Sequence, residues 1–331
     1  MKFKFMMAAA LIMAAACNQL QTVEEEKTVT EGNDSVTVTV NVNGGASTRS
    51  TSITSDHEKK VENLQLFAFN SDGKIDSYAK GTASTLKISV TAGTKDFVAL
   101  VNCPDLKMTA RKDDLMKTVS YLKNNSSGHF EMIGEVDGVK ISSNTNLDLT
   151  VKRIVSKVVI EKISVNFTSP YLASQTCKVT GIFLSNAVAS NFYGLNATSF
   201  DWVNKSEISS TDPARDLTQD IFDVEVNSTK PYTTVHSFYC YPNPTATDSS
   251  SSTWSERYTR LVVRTTLGGT VGYYNIKIPD IGSNKIYTIK ELKITKRGSF
   301  YPYEDITTAD ATFTITVSDW DTGKEFGTVT L

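Results

Sequence analysis

The sequence predicts an all-β fold arranged as two β-sandwiches, and three observations carry that prediction. Strand-length segments alternate apolar and polar residues along most of the chain, β-branched residues dominate the apolar set, and turn residues separate the segments at short intervals. A length of 331 residues accommodates two ordinary domains, and a hydrophobic content of 40% is enough to build their cores. Lys and Arg total 34 against 36 Asp and Glu, a net charge of −2. That balance lacks the basic signature of a nucleic-acid binder, so no nucleic-acid partner is expected.

The first element is not part of the fold. Lys2 and Lys4 precede an apolar, small-residue run over 5–16, which reads as a signal peptide over 1–16. The run is too short to span a bilayer as a helix. It ends Ala14-Ala15-Ala16-Cys17, and a cysteine directly after small residues resembles a bacterial lipobox, although Ala14 stands where Leu is preferred. Two readings stand side by side: acylation of Cys17, or plain cleavage after Ala16. Residues 17–33 are polar, acidic and aperiodic, as a tether would be.

Val36, Val38, Val40 and Val42 then alternate with Thr37, Thr39, Asn41 and Asn43, a half-buried strand over 36–42. The small-residue linker 44–52 comes next and contains one basic residue, Arg49, followed by Ser50. Its small polar neighbours make it accessible to a protease, while an ordinary solvated Arg is the simpler reading. Strands are expected over 61–70, with a turn at Asn70-Ser71-Asp72-Gly73, and over 74–78, 86–90 and 95–102. Leu115, Val119 and Leu122 fall at helical spacing and predict one helix over 109–122. Short strands over 130–134 and 139–141 and an alternating one over 147–151 close the first sandwich, placed at 34–152.

The second sandwich, 153–331, opens with a long strand or strand pair over 154–167, then a strand over 178–185. Residues 186–233 read as a polar, irregular excursion. Further strands lie over 237–241 and 261–266, with Gly268-Gly269 making a tight hairpin into 271–278. Strands over 286–294 and 311–318 and a final one over 326–331 complete the chain.

No phosphate-binding loop, dinucleotide fingerprint, zinc-protease helix or nucleophile elbow occurs, so no enzyme, catalytic residue, metal or cofactor is expected. His57, His129 and His236 are isolated in sequence. Asp216 with Asp220, and Asp319 with Asp321, read as solvated turn residues. Cys103, Cys177 and Cys240 lack metal or redox spacing and read as buried, inert thiols, with one disulfide as the alternative.

Taken in order, several blocks resemble the fimbrillin family, the major subunits of type V pili. They are Cys17, the strand 36–42, the Arg-bearing linker, KKVENLQLFAF at 59–69, FEMIGE at 130–135, the crossover 153–163, FYCYPN at 238–243, NKIYTI at 284–289 and TVSDW at 316–320. The resemblance implies two transthyretin-like β-sandwich domains in tandem. It also implies a lipoprotein precursor on the outer membrane, lipidated at Cys17, and an arginine-specific surface protease cutting between Arg49 and Ser50. The strand bearing Val36, Val38, Val40 and Val42 would then be displaced. A donor strand from 311–331 of a neighbouring subunit, presenting Phe313, Ile315, Val317, Val329 and Leu331, would fill its place. The expected function is thus a pilus subunit of the stalk, polymerised by donor-strand exchange into a cell-surface fimbrium that supports adhesion. The alternatives are a tip or anchor subunit, or a surface glycan-binding lipoprotein using Trp202, Trp254, Tyr301 and Tyr303 as stacking platforms.

Overall fold

In the computed structural model the described residues are 35–44, 56–106, 109–249, 251–307 and 310–330. The elements up to the crossover are β1 Ser35–Gly44, β2 Leu64–Asn70, β3 Ile75–Gly81, β4 Thr85–Thr91, β5 Gly93–Val101, α1 Lys112–Met116, β6 Val119–Tyr121, β7 Met132–Ile141 and β8 Thr145–Arg153. Beyond it come β9 Ser156–Ile160, β10 Ile163–Val165, α2 Pro170–Ala173, β11 Cys177–Ser185, β12 Ala187–Val188, β13 Ser190–Phe192, β14 Trp202–Val203 and α3 Arg215–Thr218. The chain continues through β15 Gln219–Val226, β16 His236–Cys240, β17 Arg260–Leu267, β18 Thr270–Lys277, β19 Lys285–Ile294, β20 Ala311–Asp319 and β21 Glu325–Thr330. The fold is all-β, and none of its helices among the described residues is long and apolar enough to cross a membrane.

Strands up to Arg153 form a seven-stranded sheet in the order β3-β2-β5-β7-β8-β1-β4. β7 and β8 pair only at Met132↔Arg153 and Ile133↔Lys152, so the sheet folds there into two layers. A Cβ on Gly134 would sit 2.4 Å from the Thr150 carbonyl oxygen, so this corner closes only around a glycine. The outer edges β3 and β4 return toward each other, where the Asp76 carboxylate accepts from the Thr91 N–H and hydroxyl at 2.9 and 2.7 Å. Between the layers lies an apolar core built from the inward residues of β1, β2, β4, β5 and β8.

Strands after Arg153 form two further large sheets, one containing β16-β9-β19-β20-β21 and the other β15-β11-β17-β18, while β12 pairs with β14 and β13 with β6. Their core is continuous with the second face of β2 and β5. Leu64, Leu66 and Ala68 point into the first sandwich, whereas Phe67 and Phe69 pack into this larger core. Both faces of β2 are therefore buried.

Three expectations are corrected. The helix is five residues long, not fourteen. It stops at Lys117, after which Val119–Tyr121 extends as β6 and pairs with β13, because tertiary pairing outweighs the helical spacing of Leu115, Val119 and Leu122. The segment 186–233 is no irregular excursion. It carries β12 to β15, buries Ala187, Val188, Tyr193, Val203 and Leu217, and reaches back to β6. Residues 130–134 and 139–141 are not separate strands: 132–141 is one strand, β7, whose partner register with β5 shifts between Lys95 and Phe97.

Candidate functional site

β1 occupies a slot between two strands rather than an edge. It runs antiparallel to β4, from Ser35↔Thr91 to Asn41↔Thr85, and parallel to β8, from Val38↔Thr145 to Gly44↔Val151. Alternation directs its valines inward: Val38 and Val40 are fully buried, and Val36 and Val42 nearly so. Its polar face is fixed from outside. The Asn41 amide donates to Asp148 at 3.1 Å and accepts from the Thr85 hydroxyl at 3.0 Å, while the Thr37 N–H donates to Asn144 at 3.0 Å. Burying four valines contributes roughly 6–12 kcal/mol, at about 1.5–3 kcal/mol each. Taking β1 away would leave two unpaired strand edges and an apolar trough lined by Ile88, Val90, Leu149 and Leu66.

The two ends of the slot differ. At Gly44 the strand ends against the backbone of the segment just past the linker, with the glycine Cβ position 3.4 Å from the Lys59 carbonyl oxygen. At the other end Ser35 and Thr91 are exposed. Cys17, Arg49 and Ser50 lie outside the described residues.

The proposed donor stripe sits in β20. Phe313 and Ile315 are buried and Val317 half-buried, in the same two-residue spacing as the valines of β1. In the intact chain this stripe belongs to its own core, with β20 hydrogen-bonded to β19 on one side and β21 on the other. β21 is the sheet edge and exposes Phe326. The Val329 side chain and Leu331 lie outside the described residues.

Sequence reasoning missed the buried polar junction below the turn between β20 and β21. The Glu58 carboxylate accepts from Lys157 Nζ at 2.8 Å, the Tyr239 hydroxyl at 3.0 Å and Trp320 Nε1 at 3.1 Å. The Arg153 guanidinium donates twice to the Glu58 carbonyl, at 3.0 and 2.8 Å, and once to Asp321 Oδ1 at 2.6 Å, while stacking 4.7 Å over the Trp320 ring. Asn284 completes the site by donating to Asp321 Oδ2 at 2.7 Å. All four charged groups are at most 6% exposed, so each is compensated inside the protein. Burial, with the Glu58 carboxylate beside it, pushes the Tyr239 phenol far above its ordinary range. No spacing rule connects residues 58 and 320, although blocks containing Arg153, Tyr239 and Trp320 stand out in the sequence.

Another buried carboxylate, Glu131, makes no ion pair among the described residues. It is hydrogen-bonded to the Ser120 hydroxyl, which meets the Tyr241 hydroxyl at 2.5 Å. Burial raises its pKa above the usual carboxylate value. Cys103, Cys177 and Cys240 are free and buried, in agreement with their sequence spacing. Burial pushes Cys177 up to about 11 and Cys240 up to about 12, and Cys103 also lies well above the ordinary thiol value.

The remaining candidates take structural places. Trp202 is buried rather than exposed, because Phe200 and Trp254 pack edge-on against it; Trp254 donates to Asn186 at 2.9 Å. Tyr301 stacks on Tyr303 with half its surface exposed. Asp319 is a turn residue, accepting from the Asp321 and Thr322 amides, whereas Asp321 is buried rather than solvated. His236 bridges Asp220 and Tyr232 at 2.6 Å on each side, and His129 contacts Glu62. No group of three or more His, Cys, Asp or Glu among the described residues could hold a metal ion.

The described residues form an all-β protein of packed, mostly antiparallel sheets. It belongs to the major fimbrial subunit protein (FimA) family, whose sequence profile matches residues 35–215. Among solved structures it resembles a fimbrilin from Porphyromonas gingivalis W83, at 15% identity over 86% of this chain and 97% of that one, with a TM-score of 0.61. It also resembles a candidate cell adhesion protein from Bacteroides eggerthii (16% identity, 88% and 97% covered, TM-score 0.63). A third likeness is the tip fimbrial protein Mfa3 from Porphyromonas gingivalis (13% identity, 86% and 100% covered, TM-score 0.51). At these identities the likenesses establish the shared fold. No curated protein matches the chain. Family membership makes the protein a structural, non-enzymatic pilus subunit that assembles with other subunits in a cell-surface fimbrium.

Proposed function

We propose that the chain is a stalk subunit exported as a lipoprotein precursor. Cys17 carries the lipid to the outer membrane, an arginine-specific surface protease cuts between Arg49 and Ser50, and β1 leaves its slot. The β20–β21 region of the next subunit enters in its place, and the assembled fimbrium supports adhesion. The observation that carries this reading is the burial of Val36, Val38, Val40 and Val42 in a two-sided slot, on a strand joined to the rest of the fold through the linker.

Three further points support it. An emptied slot must be refilled by another alternating strand, because roughly 6–12 kcal/mol of burial and two rows of backbone partners are vacated together. β20 carries a matching stripe of Phe313, Ile315 and Val317. A stalk subunit needs both a removable first strand and a donating region, and this chain has candidates for each, which favours stalk over tip or anchor. The change of sheet membership at Arg153 supports a division into domains 34–152 and 153–331. The buried state of Trp202 counts against the glycan-binding alternative. N-terminal sequencing of assembled fibres tests the reading: the expected mature start is Ser50, and a start at Cys17 contradicts it.

A further inference from the structure

The polar junction at Glu58 joins two parts of the chain that strand exchange would use separately. One is the segment just after the linker. The other is the base of the β20–β21 hairpin. Glu58 holds Trp320 through the indole N–H at 3.1 Å, and Arg153 bridges the Glu58 carbonyl to the Asp321 carboxylate. Trp320 and Asp321 open the turn whose backbone is closed by Asp319 N–H to the Lys324 carbonyl at 2.8 Å, and the Trp320 N–H donates to the Asn284 carbonyl at 3.0 Å. Beyond this base β21 is a sheet edge, and every side chain described in it is exposed. Buried apolar packing therefore holds the hairpin along β20, and the buried polar contacts hold it at the turn.

We propose that Glu58 and Arg153 form a latch on Trp320 and Asp321 that keeps the chain's own hairpin folded back. This rests on the reading of β20–β21 as the donated region. For the hairpin to extend toward a neighbour, the turn 319–324 must open and Trp320 and Asp321 must leave their partners. The groups left behind include the Arg153 and Lys157 cations and the Glu58 anion: Lys157 keeps its Glu58 carboxylate, whereas Arg153 loses the Asp321 carboxylate and keeps its bonds to the neutral Glu58 carbonyl. Opening thus breaks the buried Arg153–Asp321 ion pair, and that cost holds the hairpin in place until a partner offsets it. The other half of the same contact pins the segment just past the linker, so cutting the linker does not by itself detach residues 56–59.

The test uses the full chain and two latch variants, Trp320→Phe and Asp321→Asn. The first keeps an aromatic ring under Arg153 and removes the N–H to Glu58. The second keeps the size of the side chain and removes its charge. Amide hydrogen exchange is read separately for β21 with its turn and for β17 and β18. The latch predicts at least tenfold faster exchange over 319–330 in either variant, with β17 and β18 at wild-type rates. Unchanged exchange over 319–330 in both, or an equal acceleration everywhere, overturns it. A parallel assay mixes the uncut variant with linker-cut wild-type chain and monitors transfer of the hairpin into the cut partner. Faster hairpin exchange without any transfer keeps the latch and sinks the donor reading instead.

Discussion

Glu58 accepts a hydrogen bond from Trp320 Nε1 at 3.1 Å across 262 residues of chain. The same carboxylate neutralises Lys157, whose side chain is 5% exposed. Replacing Glu58 by Ala leaves that ammonium buried without its anion, which costs about 3–5 kcal/mol of stability. Glu58→Gln keeps an acceptor for Trp320 or Tyr239 and costs less. Urea unfolding of the three proteins gives the order directly.

Val40→Ala separates the precursor from the fibre. Val40 is fully buried, so the truncation weakens the uncut chain by about 2 kcal/mol through lost transfer energy and the cavity left behind. If β1 is absent from the fibre, the same change leaves fibre dissociation in denaturant unaltered. Comparing the two unfolding curves for wild type and variant tests this.

Glu131 gives a pH dependence with a defined sign. Its folded-state pKa is raised by burial, so at intermediate pH the folded chain retains a proton that the unfolded chain has released. Its contribution to stability is therefore complete below the unfolded value of 4.5 and declines as pH rises through the folded value. Glu131→Gln removes this slope. The stability of wild type relative to the variant should fall as pH rises above 4.5 in urea titrations, and a constant difference would show the carboxyl to be unshifted.

The slot does not choose strand direction by hydrogen bonding, because β1 is antiparallel to β4 and parallel to β8, and a reversed strand would merely exchange the two. Its ends do choose. The Gly44 end is closed against Lys59, and the Ser35 end is open. A donated arm should enter at the open end and run as β1 does, placing Phe313, Ile315 and Val317 at the positions of Val38, Val40 and Val42. Thr150 lies beside Asn43, so Thr150→Cys should cross-link in fibres with Ser318→Cys. Cross-linking with Thr312→Cys instead would mean the opposite direction. The native thiols are buried with raised pKa values and should not interfere.

Much of the fold is legible from local pattern. The valine stripe of β1, the stripe of β20 and the Gly268-Gly269 hairpin each arise from residue alternation or from backbone freedom, since both glycines have positive φ. Pattern misreads the features decided at long range. Val119 is strand because β13 pairs with it, and the polar-looking stretch after Ser185 is structured because Asn186, Ser190, Asn191 and Asn204 are buried and hydrogen-bonded. Glu58 is invisible in sequence for the same reason, since Arg153, Lys157, Tyr239 and Trp320 reach it from separate strands and turns.

The claim that β1 must leave its slot is open to a direct mechanical test. Asn41 and Thr85 are opposite each other on β1 and β4, with side chains 3.0 Å apart. A disulfide between Asn41→Cys and Thr85→Cys would hold the strand in place after the linker is cut. Exchange predicts that the oxidised, cut protein forms no fibres and that adding a reductant starts polymerisation. Fibres that grow with the disulfide intact would contradict it.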